Sequence, residues 1–301
     1  MARQADAEAF EAHRDLMFAV AYRMLGTVAD AEDAVQDAWL SWSAAPRHDV
    51  ADPRRYLTKV ITNTSLNRLR AVRARREAYI GPWLPEPLLS NTGDEVADRP
   101  VLAESVSLAM LVVLESLSPE ERAVFVLREV FGFSYAEIGA ALGRPEVTAR
   151  QIGHRAREHV HARRPRFEVD RGQQQEVTRR FLDAAAGGDI DGLISVLAPD
   201  VTLVSDGGGV ARAARRPVTG AAKVARLLHG LAQRPGTGLD LIGAVPEMAE
   251  INGGPGVLYA RDGQVLVAVT WMVSGGLVTA VQIVTNPHKL AALSAGRTLA
   301  L

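Results

Sequence analysis

The sequence predicts a multidomain chain, two all-α domains followed by a C-terminal α+β cone. Three observations carry this. Up to about residue 165, apolar residues recur at helical spacing between capping residues, glycines and prolines. Gly81 to Ser105 then interrupts that pattern with four prolines and two glycines, the composition of a linker. From Leu239 onward, apolar runs of strand length dominate, and Asp262-Gly263 is a hairpin-turn pair. The 301 residues suit two or three domains. The expected boundaries are 1–79 and 106–165 for the helical domains, 80–105 for the linker, 166–175 for a polar connector and 176–301 for the cone.

In chain order, Asp6 to Leu25 reads as one helix, with Phe10, Leu16, Met17, Val20 and Leu25 on its apolar side and Gly26 as its stop. Thr27 and Asp30 begin a second. There Ala31, Ala34, Val35, Ala38 and Trp39 face inward, and Asp30, Asp33, Gln36 and Asp37 face out. A loop with two prolines leads to a long basic helix, Pro53 to Glu77, whose net charge is +7. By contrast, Val28 to Asp37 holds four acids and no base. Such segregation in a chain of net charge -1 predicts two surfaces with different partners. On the basic helix Tyr56, Lys59, Asn63 and Asn67 precede Arg68, Arg70, Arg73, Arg75 and Arg76. Aromatic, amide and guanidinium groups on one element suit unstacked bases held by a phosphate backbone.

Ser118-Pro119-Glu120-Glu121 opens a further helix: a cap, proline at the first helical position, and acids at the positive end of the dipole. Gly132 ends it. Ser134, with Glu137 three residues on, begins Tyr135 to Leu142 as a capping box. Gly143 makes a tight turn, and another helix opens at Pro145. Ile138, Leu142, Val147 and Ile152 are expected to pack this pair, leaving Glu146, Thr148, Ala149, Arg150 and Gln151 exposed. That is a helix-turn-helix whose last helix has the chemistry of a major-groove reader, Arg for guanine and Gln for adenine. Arg155, Arg157, Arg163, Arg164 and Arg166 then suit phosphates.

Zero cysteines exclude disulfides, thiolate catalysis and Cys-based zinc sites. No metal site and no cofactor is expected. No apolar run has the length of a membrane span, and the first residues lack a signal-peptide core, so a cytosolic protein without a membrane partner is expected.

The blocks DAEDAVQDAWLSW, PRRYLTKVITNTSLNRLR and SPEERAVFVLREVFGFSYAEIGAALG, in that order, resemble the extracytoplasmic-function sigma factors over about residues 5–165. The resemblance implies that Asp30, Asp33, Gln36 and Asp37 (region two) dock on core RNA polymerase. It implies that the helix with Tyr56, Lys59, Asn63, Asn67, Arg68 and Arg70 recognises and melts the minus-ten element. The helix after Pro145 (region four), with Glu146, Thr148, Arg150, Gln151, His154 and Arg155, corresponds to the reader of the minus-thirty-five element of promoter DNA.

In the last third, helices at Glu176–Gly187, Ile190–Leu197 and Ala221–Ala232 precede and interleave with strands at PDVTLVSD, LDLIGAV, GVLYARDG, QVLVAVTWMV and LVTAVQIVTN. This order resembles the SnoaL-like family of the nuclear-transport-factor-two type. The whole resembles the SigJ-like group of sigma factors, which carry such a domain behind region four. The resemblance rests on WLPEP (Trp83, Leu84, Pro85 to Pro87), on DGGG (Asp206, Gly207, Gly208, Gly209) and on NPHKL (Asn286, Pro287, Lys289, Leu290). It implies that the fused domain regulates the sigma part in cis; on this regulatory reading the last two contact the first and fix the spacing of the two DNA-binding domains.

Two other functions compete. An Asp in an apolar pocket can abstract a proton, which would make Asp206 the base of an isomerase or cyclase acting on a small molecule in the cone. Phe181, however, stands where a donor is wanted, and the strands offer no second acid, so no enzyme activity is expected. An unidentified small-molecule ligand remains a candidate partner of the cone. A repressor that works without polymerase is the other alternative, opposed by the acidic helix, which DNA would repel.

Overall fold

The structure is a computed structural model that describes residues 2–44, 50, 52–90, 107–163, 171–233, 241 and 243–299. Its contacts form two units. One, here the helical unit, comprises Met1–Ala78 and Val113–Arg163; the other, the sheet unit, comprises Tyr79–Val112 and Arg164–Leu299. The helices before and after the linker therefore share one unit, and the linker belongs with the C-terminal third.

The helical unit begins with α1 (Ala2–Glu11) and α2 (Arg14–Leu25). The single helix expected here is broken at His13, which leaves helical geometry (φ -117°, ψ 5°). Its N–H turns back to the Phe10 carbonyl at 3.0 Å. Phe10 packs edge-on against Trp39 at 5.0 Å between centroids. Neither glycine nor proline marks this break. Gly26 closes α2 in the left-handed region (φ 78°). Next come α3 (Val28–Ala44) and α4 (Pro53–Glu77). Trp42, not Trp39, is the fully buried tryptophan of α3, and it packs on Tyr56 of α4 at 5.6 Å.

The helix α5 (Leu108–Glu115) crosses from one unit to the other. In the helical unit, α6 (Pro119–Phe125) starts in a full capping box between Ser118 and Glu121, and it ends in a π-helical turn, Val126–Val130. α7 (Tyr135–Leu142) starts in the Ser134–Glu137 box and stops at Gly143 (φ 65°). α8 (Glu146–Arg163) follows. A Cβ on Gly139 would stand 2.7 Å from the Arg144 carbonyl, so this turn needs glycine inside α7. On α8 the buried stripe is Ala149, Ile152, Ala156 and Val160. Val147 lies two residues off that stripe and is 64% exposed. The expected assignment of Val147 to the interior and Ala149 to the surface is thus reversed, two residues being about half a helical turn.

The sheet unit contains β1 (Leu89–Ser90), α9 (Arg171–Gly187), α10 (Ile190–Val196), β2 (Leu197–Asp206), β3 (Val218–Thr219) and α11 (Ala221–Gln233). It continues with β4 (Val245–Ile251), β5 (Gly254–Arg261), β6 (Gln264–Ser274), β7 (Leu277–Val284), α12 (Pro287–Ser294) and β8 (Thr298–Leu299). The sheet order is β3-β2-β7-β6-β5-β4-β1-β8. The strand expected at LDLIGAV does not form over Leu241, Gly243 and Ala244. Gly243 takes φ 72°, and the Ala244 N–H turns back to Leu241, so pairing starts at Val245. Leu239, Asp240 and Ile242 lie outside the described residues, as do residues 91–106, which include the rest of the linker, and residues 164–170, which include the first half of the connector.

The alternation of strand side chains sorts the sheet into two faces. Val201, Leu203, Val257, Val267, Trp271, Val278 and Ile283 join Val177 and Phe181 of α9, Leu193 of α10 and Val224 of α11 in one core. Leu258, Val265, Ala268 and Val284 join Leu84, Leu108, Leu290 and Leu293 in another. The linker thus supplies part of a hydrophobic core.

Candidate regulatory contact and nucleic-acid interface

Asp206 is the last residue of β2 and is fully buried. Val204, two residues earlier, packs with the Leu84 core, and strand alternation aims Asp206 to the same side. One carboxylate oxygen accepts the Tyr79 hydroxyl at 2.6 Å and the Gly208 N–H at 3.0 Å. The other accepts the Leu84 N–H at 2.8 Å and Lys289 Nζ at 2.7 Å. Lys289 also donates to the Leu84 carbonyl, and it lies 4.1 Å from the Trp83 ring centroid and 5.0 Å from that of Tyr79. Burial pushes the Tyr79 phenol up, and the Asp206 carboxylate beside it adds to the effect, so the phenol remains a donor.

The glycine turn makes this possible. Gly208 (φ 62°) and Gly209 (φ 76°) are left-handed, and a Cβ on Gly208 would overlap the Asn286 side chain. Asn286 caps α12 by accepting the His288 N–H at 3.0 Å, and its Nδ2 donates to Tyr79 at 2.9 Å. Pro287 supplies the first helical position, and Leu290 enters the Leu84 core. Pro85, Glu86, Pro87 and Leu88 are buried behind it. Gly207 is buried and accepts the Val210 and Ala211 N–H groups.

A second clamp was not visible in the sequence. Asn252, buried and left-handed (φ 51°), exchanges two hydrogen bonds with Leu88, at 3.0 and 2.9 Å. Ser90 Oγ accepts the Gly253 N–H at 2.6 Å, and Leu89 pairs with Ile251 and Thr298. The Asn252-Gly253-Gly254 run was the available signal, a turn for which left-handed residues are needed.

The helix-lined face has different contents. Phe181 and Trp271 pack at 5.4 Å, and Trp271 Nε1 donates to Thr178 at 3.1 Å. Asp206 points away from that face, which removes the base that the isomerase reading required.

In the helical unit, Asp33 and Asp37 on α3 both bind Arg68 of α4, at 3.1 and 2.5 Å. Burial alone would lower the Arg68 pKa; the two carboxylates outweigh it and raise it. Two groups expected to meet different partners are therefore paired with each other. Asp30 bonds to Thr27 at 2.6 Å and Gln36 is exposed. On α4, Lys59, Asn67 and Arg70 are exposed, and Tyr56 is half-buried against Trp42. Asn63 donates to the Ala141 carbonyl of α7 at 3.0 Å. On α8, Glu146, Arg150, Gln151, His154 and Arg155 are exposed and Thr148 is half-buried. Arg150 bonds to Glu146 at 2.5 Å. The side chains of Arg73, Arg75, Arg76, Arg163, Arg164 and Arg166 lie outside the described residues. Among the described residues no acid–histidine cluster could hold a metal, and no helix is long and apolar enough to cross a membrane.

Two family models match the helical blocks: Sigma-70 region 2 over residues 9–76 and Sigma-70, region 4 over residues 107–160. Over 293 residues the chain is 42% identical to the ECF RNA polymerase sigma factor SigJ of Mycobacterium tuberculosis, spanning 93% of this chain and 91% of that one. The chain belongs to the extracytoplasmic-function sigma factors. This sigma factor is also 38% identical over 195 residues to a probable ECF sigma factor, SigI, of the same species, covering 64% of this chain and 67% of the relative. Its fold is similar to the crystal structure of M. tuberculosis SigJ, with a TM-score of 0.74 and 38% identity over 98% of this chain and 100% of the other. As a sigma factor it directs RNA polymerase to promoters for transcription initiation.

Proposed function

We propose that the sheet unit regulates this sigma factor in cis by holding the linker, and that α3, α4 and α8 divide polymerase docking, minus-ten recognition and minus-thirty-five reading among them. The observation that carries the regulatory half is the fully buried Asp206, which spends its hydrogen-bonding capacity on Tyr79, Leu84, Lys289 and the glycine turn. Residues 79–90 are part of the segment that connects the two DNA-binding blocks in sequence. A contact that favours one path of this segment biases which arrangements of those blocks are populated. In vitro transcription with core polymerase tests it, comparing the full chain with one ending after Phe167. Both forms should support initiation, at different levels. Equal activity of the two forms sinks the cis-regulatory reading, and absence of initiation by either sinks the assignments within the helical unit. On this reading the sheet unit acts by contact and not by catalysis, and turnover of an apolar ketone that is lost in Asp206→Asn would overturn that.

The reading face of α8 is Glu146, Val147, Arg150, Gln151, His154 and Arg155. Arg150→Ala and Gln151→Ala should each lose about 1–3 kcal/mol of discrimination at one base pair. Val147 is the apolar member of this face, suited to a thymine methyl. Binding of the holoenzyme to upstream elements carrying uracil in place of thymine checks it. Wild type should discriminate at one position, and Val147→Ala should not. Promoter preference unchanged in all three variants would mean that another face of α8 reads the DNA.

A further inference from the structure

The loop between β2 and β3 carries Arg212, Arg215 and Arg216, and the linker contact does not use their side chains. All three are exposed, and none has a carboxylate partner among the described residues. Their setting is one-sided in charge. Between Asp206 and Asp240 the sequence holds six Lys and Arg residues and no Asp or Glu. The backbone beneath them is pinned. The Ala214 N–H donates to Ser205 Oγ at 2.7 Å, and the Arg212 carbonyl accepts the buried Thr285 hydroxyl at 3.4 Å. Ser205 and Thr285 are 6% and 5% exposed. The guanidinium groups are therefore presented from a fixed base, which lowers the entropy lost when they engage a partner.

We infer that this arginine loop is a contact surface for the phosphate backbone of promoter DNA. Three arginines, with forks that match phosphate oxygens, suit a polyanion better than a single carboxylate. The working complex of a sigma factor contains duplex DNA, so a polyanion is always at hand. The loop also lies beside the linker: a Cβ on Gly81 would be 4.0 Å from the Arg215 Cα. Gly81 lies four positions after Glu77, the end of the cationic helix α4, a span of at most about 14 Å of extended chain. The inference rests on the family's DNA-binding role and not on the base contacts assigned to α8.

The test is the salt dependence of holoenzyme binding to a promoter fragment without nucleotides, with full-length wild type and with the triple variant Arg212→Gln, Arg215→Gln, Arg216→Gln. Each phosphate contact contributes about 0.9 to the slope of log K against log salt. The variant's slope should be shallower by about 2–3, so that its deficit against wild type shrinks roughly 40-fold between ~50 and ~200 mM salt. The loss should be the same for promoters of different sequence. The triple Arg→Lys variant should keep most of the slope. Identical slopes for wild type and the Gln variant overturn the inference. So does a difference that appears only once nucleotides are added, which would assign the loop to nascent RNA. Wild type that binds no promoter with core polymerase would instead refute the sigma assignment itself, a separate outcome.

Discussion

Replacing Lys289 by methionine should destabilise the sheet unit by about 3–5 kcal/mol, the usual cost of removing one partner from a buried ion pair. Asp206 has no exposure and Lys289 only 6%, so no solvent is available to replace the ammonium. Methionine fills the aliphatic volume but supplies no donor. The carboxylate would keep Tyr79, Leu84 and Gly208 as neutral partners, and the Leu84 carbonyl and the Trp83 face would lose their cation. Urea unfolding and hydrogen exchange at the Leu84 amide measure this, and exchange there should accelerate well beyond that of the β5–β6 ladder. Adding Asp206→Asn to Lys289→Met should recover part of the loss, because the uncompensated charge disappears with it; the double-mutant cycle isolates that coupling. On the cis-regulatory reading, Lys289→Met should also move transcription in the same direction as truncation after Phe167. A variant that is destabilised yet transcribes like wild type would make this pair purely structural.

What was legible in the sequence was set by range. Caps and stops act within one turn, and Ser118-Pro119, Ser134 with Glu137, Gly26 and Gly143 mark their helices as expected. The docking of WLPEP was foreseeable from its pairing with the DGGG and NPHKL runs, and Trp83, Leu84 and Leu88 are apolar enough to drive it. The docking partners were not all foreseeable, because Asn252 meets Leu88 across 164 residues, and no local pattern encodes such a pairing. Face assignments failed where the phase of an element decides them. Val147 and Ala149 exchanged roles on α8, and Asp206, placed in the cone by the enzyme reading, follows Val204 to the opposite side of the sheet. Arg68 was assigned to DNA by type, and only the packing of α3 on α4 shows it held by Asp33 and Asp37. Arg23 gave no signal at all, since a lone arginine near a helix end ordinarily reads as a solvated dipole partner.

Arg23→Met should make the helical unit more stable and the sigma factor less active. Arg23 has 0% exposure. Nη1 donates to the Ala19 carbonyl at 3.1 Å and the guanidinium lies 5.1 Å from the Phe131 centroid, but Nε and Nη2 have no hydrogen-bond partner among the described residues. Burial pushes its pKa down to about 10, so at neutral pH the group is still charged and still desolvated. The sign follows directly. A base whose folded pKa lies below its unfolded value disfavours folding throughout the range below pH 10 or so, and the penalty is relieved only as pH rises through that value. Exchanging such a group for a well-packed apolar one stabilises by about 1–4 kcal/mol. The packing it would strengthen joins α2 to α6, where Arg122 donates to the Arg23 carbonyl at 2.9 Å, and to Phe131 at the end of the π-helical turn, and it accompanies the α4–α7 contact through Asn63. On the proposed division of promoter recognition between α4 and α8, the minus-ten and minus-thirty-five elements are separated by about 80 Å of duplex at ~3.4 Å per base pair, so the packed helices must part before both elements are engaged. A buried cation left two partners short raises the energy of the packed state and so lowers the cost of parting. A higher Tm together with weaker transcription in Arg23→Met would establish that coupling, and a higher Tm with unchanged transcription would show that parting is not what limits initiation.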